Sequence, residues 1–574
     1  MAEHGYVLDA YVSVLEEEGI PHEIVDLYTL RDVPPAELVR AAPALIMPDG
    51  VCRRLHSSFD RWVEDYLAAG GALAVVHDVG IKSQTGGLLP RSFLARHTGA
   101  QHVGADVGTQ DAHTTGSIAF ADSAAAAFCG IPAGKLDETF HLTGYGYGRL
   151  EYPIARSHLE SVADRGPTRV LAWAETDGGA RHPAVTLRGS GRGAVMYVNM
   201  PLGHLKAYSD DLPLRALLRT FLCRVVGLPA LVTAPEGIGA VVINWHIDFA
   251  DDRVAIDDMA TRGLLRPDVP CSYHVCAGPS VNAAGDGLGF DACGKGRTQV
   301  DLMRSVGEVG SHGGWLHNVF AANVVSGVWD ADSIIAYVQL NSECLQDVTG
   351  STVREYSALA GVHPQPLMTS ILEKLGFDSY YYTGGSGSAP NRSFHDGTRL
   401  SDSLIAFPIM PRGRYASLAE MDDHLSLPAD DVLAWLSDTA DYCRRERTIR
   451  MVYSHPYNLI KYTHDLDYRP AVARWFDELA ALQTDGELKV RTMSECTDFL
   501  RRLWATEFTV SLTDDGTVLR LSNPEGLAGG ALSLPTSRWT VDAPAGCRRM
   551  DNETETILVV TEDRNDIAIP ATMH

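Results

Sequence analysis

Basic residues are scarce in this chain. Its 574 residues carry 48 Lys and Arg against 73 Asp and Glu, a formal charge of −25. Such an excess of acid repels phosphate backbones and anionic bilayer surfaces, so neither nucleic acid nor a membrane is expected as a partner. Long apolar runs are missing as well. Nowhere do about 18 consecutive apolar residues occur, and the opening MAEHGYVLDAYVSVLEEEG has no basic segment followed by an apolar stretch. The expectation is a soluble cytoplasmic chain, or a secreted one if an upstream signal was removed. The ten cysteines include no CxxC pair and no dense framework, which predicts reduced thiols rather than a disulfide scaffold. No lysine follows the run Gly384-Gly385-Ser386-Gly387-Ser388, so it reads as a loop and not as a phosphate cradle.

A chain of this length is expected to hold roughly two to four separately packed cores. In residues 1–228 the pattern predicts helices at 6–18 and 59–69 and strands at 22–27, 44–47, 72–77 and 191–199. That alternation belongs to a doubly wound α/β domain with crossover helices. In residues 229–504 it restarts, with strands predicted at 241–245, 271–276, 379–382, 405–410 and 450–454, helices between them, and Gly307 to Gly310 leading into a loop. This reads as a distorted (β/α) barrel. Residues 505–574 change to short alternating segments separated by turns such as Asp514-Asp515-Gly516, which predicts a small C-terminal β-sandwich.

Three polar segments stand at predicted strand ends in the middle region. The first, Ile243-Asn244-Trp245-His246-Ile247-Asp248, runs from an apolar strand directly into polar groups. The second is Glu308-Val309-Gly310-Ser311-His312-Gly313-Gly314-Trp315-Leu316-His317, and the third is Tyr453-Ser454-His455-Pro456-Tyr457. The C-terminal ends of barrel strands are where active sites of that architecture lie. Positions i and i+2 of a strand share a face, so His246 and Asp248 can reach one site.

In residues 1–228, PALIMPDG, WVEDYLAAGGALAVVHDVG and GRGAVMYVNMP resemble the class I glutamine-amidotransferase-like superfamily, including ThuA-like domains. The resemblance implies a flavodoxin-like fold. Active members present a cysteine nucleophile on the sharp turn after the third strand. Here that turn is His77-Asp78-Val79-Gly80, which implies a domain without glutaminase activity, and Cys52 reads as an ordinary small residue. The three histidine-bearing segments resemble the successive motifs of the polysaccharide (NodB-homology) deacetylases. Val269 to Val275 stands where that family has its second strand, and Thr492-Met493-Ser494-Glu495 resembles its closing segment. Two spacings depart from the family: His246 and Asp248 replace an adjacent aspartate pair, and His312 and His317 are separated by four residues instead of three. These departures place the chain nearer to a divergent branch resembling aminosugar-exopolymer deacetylases.

The resemblance implies that Asp248, His312 and His317 hold a divalent metal, zinc or another transition metal, because two imidazoles and one carboxylate leave positions open for water and a carbonyl oxygen. It implies His246 as the general base, titrating near the ~6.5 of a free imidazole, and His455 as the acid. His246 as a fourth ligand, or Asp251 and Asp252 as base and ligand, are alternatives, and His274 reads as a packed core residue. Trp245, Trp315 and Tyr457 are expected to line a sugar site. The implied activity is removal of an N-acetyl group from an aminosugar or a small acetylated metabolite. Two rivals stand beside it: hydrolysis of a non-sugar or cyclic amide, and non-catalytic carbohydrate binding at a degenerate site. Assembly into a homo-oligomer is left open.

Overall fold

The run Gly239–Ile247 has nine consecutive buried residues, too apolar for a strand with one face in water. Such a run belongs to a parallel sheet covered on both sides. In the computed structural model, which describes residues 5–102, 113–160, 167–464, 466–513 and 516–574, it is strand β1 of that kind of sheet. The other strands are β2 (Ser272–Val275), β3 (Glu308–His312), β4 (Glu355–Ser357), β5 (Ser379–Tyr382), β6 (Ile405–Pro408), β7 (Ile449–Ser454) and β8 (Leu488–Val490). They lie in the order β6-β5-β4-β3-β2-β1-β7, with β8 against the start of β1. All of these pairs are parallel. The two ends of the sheet meet at a parallel bridge between Ile409 and Met451, where the Met410 N–H donates to the Met451 carbonyl at 2.7 Å.

The helices of this unit are α1 (Asp251–Thr261), α2 (Arg297–Arg304), α3 (His317–Val325), α4 (Ala331–Thr349), α5 (Leu367–Lys374), α6 (Leu418–Leu425), α7 (Ala429–Glu446), α8 (Arg469–Thr484) and α9 (Met493–Trp504). Val241, Ile243, Trp245 and Ile247 of β1 share one core with Ile256 and Met259 of α1, Val300 and Met303 of α2, and Ile334, Val338 and Leu345 of α4. The period of two along a strand therefore turns Asn244 and His246 to the opposite face. Stop signals explain the helix ends: Asp330 accepts the Ser333 N–H at the start of α4, and Gly350 closes it in the left-handed conformation.

Two expectations for this unit are corrected. Gly307 to Gly310 does not lead into a loop, because Glu308–His312 is the central strand β3. Its sequence is nearly devoid of large apolar residues since it lines a crowded interior. A Cβ on Gly310 would stand 2.5 Å from the His274 ring and 3.0 Å from the Glu355 Cβ. Glycine is required there so that His274 can meet Glu355, at 3.0 Å with both side chains fully buried. The thiols are also not all reduced: Cys293 and Cys344 form a disulfide, while the other eight cysteines are free.

The chain groups into two compact units. One comprises Val232–His395 and Arg399–Trp504, just described, and the other Met1–Leu231, Asp396–Thr398 and Ala505–His574. In the latter, strands Ala44–Met47, Ala72–Val76 and Gly193–Val198 are parallel. Beyond them Arg181–Ser190, Arg169–Glu175, His113–Phe120 and Glu151–Ala155 continue the same sheet antiparallel. The sheet is therefore mixed and not doubly wound: the two residues between Ser190 and Gly193 allow only a hairpin, whereas a parallel neighbour needs a crossover of a dozen or more residues. The strand expected at 22–27 does not form. Asp26 accepts the Tyr28 N–H and opens helix Leu27–Arg31 instead, leaving Ile24 and Val25 exposed.

The turn at His77 does lie in the left-handed region, at φ 53°. Cys52 is buried, and burial followed by the charge of Asp78 pushes its thiol up to about 12, so it carries no thiolate near neutral pH. Residues 505–574 contribute two four-stranded antiparallel sheets, one of which takes Ala230–Leu231 as an edge strand. Asp514 and Asp515 of the expected turn lie outside the described residues. Among the described residues no helix is long and apolar enough to cross a membrane.

The disulfide closes a stretch 51 residues long, and a crosslink of that span restricts the unfolded chain by roughly 2–4 kcal/mol. Non-reducing peptide mapping is expected to recover the linked Cys293 and Cys344 peptides, and reduction to lower the denaturation midpoint. Ten titratable thiols in the untreated, denatured chain would contradict the pairing.

Candidate metal centre

Strand β1 ends at Ile247, and Asp248 is the first residue beyond it. His312 is the last residue of β3, His317 the first of α3, and His455 follows β7. The parallel sheet thus delivers four polar side chains from three loops to one mouth. Asp248, His312 and His317 are buried, and each offers a ligand atom within 4.8 Å of the other two. The Nε2 atoms of His312 and His317 lie 3.0 and 3.4 Å from Asp248 Oδ1, and His455 Nε2 lies 3.5 Å from Oδ2.

The far side of each imidazole is already committed. His312 Nδ1 is 2.6 Å from Ser357 Oγ, and His317 Nδ1 is 2.8 Å from Asn318 Oδ1. An amide oxygen only accepts, so His317 carries its proton on Nδ1, and the same tautomer suits His312. Two Nε2 lone pairs and a carboxylate oxygen then face one another. Asp248 Oδ1 is buried without a hydrogen bond of good geometry. Three ligand atoms converging in a buried space could hold a cation between them. The two Nδ1 contacts are also the kind of outer partner that fixes a metal-ligating histidine. The donor set therefore fits a divalent transition metal, zinc best among them.

The electrostatics agree with that fit. Burial alone would raise Asp248, but His455, His312 and His317 outweigh it and hold the carboxyl well below its usual range. Burial pushes His312 down to about 4, so it is a neutral ligand at neutral pH. For His317 burial works against protonation, yet the hydrogen-bonding and charge of Asp248 prevail and its pKa is raised.

His246 departs from its expected behaviour. It is buried, its Nε2 is 2.7 Å from Asn244 Oδ1, and its ring lies 4.4 Å from that of His312. Burial, then His312, His455 and His274, drive its pKa well below that of a free imidazole. It is neutral throughout the physiological range and does not titrate near 6.5. Asp251 is half-exposed and ion-paired to Lys461, and Asp252 is fully buried with its carboxylate on backbone N–H groups. Neither stands among the converging ligand atoms. His274 is a core residue, paired to Glu355, whose other oxygen accepts the Ser494 N–H at 2.6 Å; this ties the Thr492 to Glu495 segment to the barrel interior.

The three expected sugar walls separate. Trp245 is only 3% exposed and belongs to the helix-facing core, because it alternates with His246 along β1. Trp315 is partly buried and also packs on that core. Tyr457 does stand at the site, its ring 5.1 Å from His455 and 5.8 Å from Phe249. Phe249 in turn lies 5.0 Å from His317, and no periodicity singled it out. Ser357 was equally hidden, since strand β4 carries no extended apolar run. Asn318 was legible in principle as the polar neighbour of His317.

No protein-family model matches the chain, and no curated protein matches it. Among solved structures, a Mycobacterium smegmatis protein assigned to the polysaccharide deacetylases is 16% identical, with 47% of this chain and 93% of that chain covered and a TM-score of 0.33. The carbohydrate deacetylase Agd3 is 10% identical over 99% of this chain and 98% of its own, with a TM-score of 0.42. A CE4-family pseudoenzyme from Bacillus anthracis is 12% identical over 46% and 66%, with a TM-score of 0.27. With all three scores below 0.5, the centre is read from its own geometry.

Replacing Trp245 separates core from site. Trp245→Ala is expected to cost about 3–5 kcal/mol of stability, seen as a lower melting temperature with an unchanged KM. An unaltered melting temperature with a KM raised several-fold would return Trp245 to the substrate wall.

Proposed function

We infer that this centre is a hydrolytic metal site that removes an N-acetyl group from an aminosugar or a small acetamide. The observation that carries the reading is the convergence of Asp248, His312 and His317 with both Nδ1 atoms already bonded elsewhere. A divalent ion held by these three would supply a Lewis acid for an amide carbonyl and would acidify bound water at neutral pH. The chain's own residues do the rest. His455 is the one histidine of the mouth that is neither a ligand nor fully buried, with its Nε2 3.5 Å from Asp248 Oδ2 and its Nδ1 3.3 Å from Asn458 Oδ1. It accepts a proton from the attacking water and returns it to the nitrogen of the departing amine, while the acetyl carbon leaves as acetate. His246, its pKa held well below that of a free imidazole, is too weak a base for the proton and stands as a fixed wall beside His312. Phe249 and Tyr457 supply an apolar face on the His317 and His455 side, suited to the flat ring face or methyl of an acetylated substrate.

The test is metal content and acetate release measured on the same preparations. The intact chain should hold about one zinc-like ion and release acetate from some acetylated sugars or small acetamides. His312→Ala and His317→Ala should lose the ion, because loss of an outer partner alone weakens such sites ~10- to 100-fold. His455→Ala should keep it while turnover falls ~10²- to 10⁴-fold. Protons compete with metal for the imidazole and carboxylate ligands, and Asp248 holds the His317 pKa up, so occupancy should fall as the solution is acidified. Full occupancy in both ligand variants, or near-normal turnover in His455→Ala, would overturn the reading.

A further inference from the structure

Asp252 has no part in the chemistry above, yet it is fully buried two loops deep in the site. It is the second residue of α1, and both of its oxygens are engaged by backbone. Oδ2 accepts the N–H of Asp248 at 2.8 Å and of Phe249 at 2.9 Å, while Oδ1 accepts the N–H of Tyr457 at 3.1 Å. The first two donors belong to the loop that carries a metal ligand and one aromatic wall. The third lies 205 residues further along the chain, two residues after His455, on the turn Pro456–Leu459. A single carboxylate therefore fastens the ligand-bearing loop after β1 to the loop after β7 that bears the proton-transferring histidine. Asp251 beside it pairs with Lys461 of that same second loop, but both partners are more than half exposed, and an exposed pair of this kind holds little.

We propose that Asp252 is the positioning residue of this centre, setting the orientation of Asp248 toward the metal and the distance between that ligand and His455. The inference rests on the hydrolytic metal-site reading and adds a residue to it. Asp252 is not among the converging ligand atoms, and three backbone amides already occupy its two oxygens. Nor does it touch a reacting group. Its role depends on being an acceptor at both oxygens: an asparagine of the same shape has one oxygen and one NH2, and in either orientation at least one backbone N–H then faces a donor.

Asp252→Asn and the charge-preserving Asp252→Glu test this, with Lys461→Met as the control that breaks only the outer pair. In Asp252→Asn the zinc dissociation constant should rise ~10- to 100-fold. Saturating zinc should restore occupancy but not turnover, with kcat at least ~10-fold down and KM nearly unchanged, because the His455 loop is released as well. In the metal-free protein, hydrogen exchange should accelerate together in the peptides covering 247–252 and 455–460, and in neither for Lys461→Met. If Asp252→Asn does not fold, Asp252→Glu carries the same measurements. Wild-type zinc affinity, turnover and exchange in a folded variant would overturn the proposal. Should the intact chain bind no zinc and hydrolyse nothing, the metal-site reading fails while the exchange data still decide this one: joint loss of protection sustains it, and unchanged protection refutes it.

Discussion

Three hydrogen-bond acceptors are forced together at the mouth of a parallel sheet, and much of the surrounding structure exists to keep them there. The Asp248 carboxylate and the two imidazoles meet within 3.4 Å in a buried site, the histidines holding the Asp248 pKa down and Asp248 holding that of His317 up. They stay in place because each is anchored from behind, His312 by Ser357, His317 by Asn318 and Asp248 through its own backbone N–H by Asp252. Ser357 ends strand β4, while Asn318 and Asp252 sit in the first turns of α3 and α1. β1 divides its two faces: its odd-numbered residues from Val241 to Ile247 belong to the core, and its even-numbered residues from Asn244 face the interior that leads to the centre.

The barrel interior is itself unusually polar. His274 and Glu355 form a fully buried pair, made sterically possible by the absence of a side chain at Gly310. Burying two ionisable groups is costly unless each has a partner and its remaining oxygens or nitrogens are satisfied. The Ser494 N–H meets that need on the Glu355 side. The closing segment of the unit is thereby joined to the sheet near its middle, and the His246 ring lies between that of His274, nearly parallel at 6.0 Å, and that of His312, tilted at 4.4 Å.

The site was far more legible in the sequence than the fold around it. Strand ends that run from apolar residues into Asp or His are visible wherever a parallel sheet presents its active face, and so the convergence of Asp248, His312, His317 and His455 on one mouth was legible without coordinates, while their roles belong to the proposal. Trp245 was misread because a strand shows two faces and the sequence does not say which one the site uses until the neighbouring His246 is placed. β3 and β4 escaped because their stabilising contacts are a histidine, a glutamate and a glycine, which carry no hydrophobic periodicity. In the other unit, the His22 to Leu27 segment has the composition of a strand, but a local Asp26 cap competes successfully for its last residues. The antiparallel half of that sheet rests on short hairpins at Ser190–Gly193 and Glu175–Arg181 and on long-range pairings of His113–Phe120, none of which hydrophobic rhythm encodes. The pairing of Cys293 with Cys344 could not be seen either, since it depends on a loop and a helix meeting in space.

The proposed chemistry requires a cation lying between Asp248, His312 and His317. Anomalous diffraction at the zinc edge from crystals of zinc-loaded protein locates it directly. The expected result is a single strong peak at bonding distance, ~2.0–2.2 Å, from two imidazole Nε2 atoms and one Asp248 oxygen. A zinc-containing crystal with no density among those three residues, or with its peak on other ligands, would contradict it.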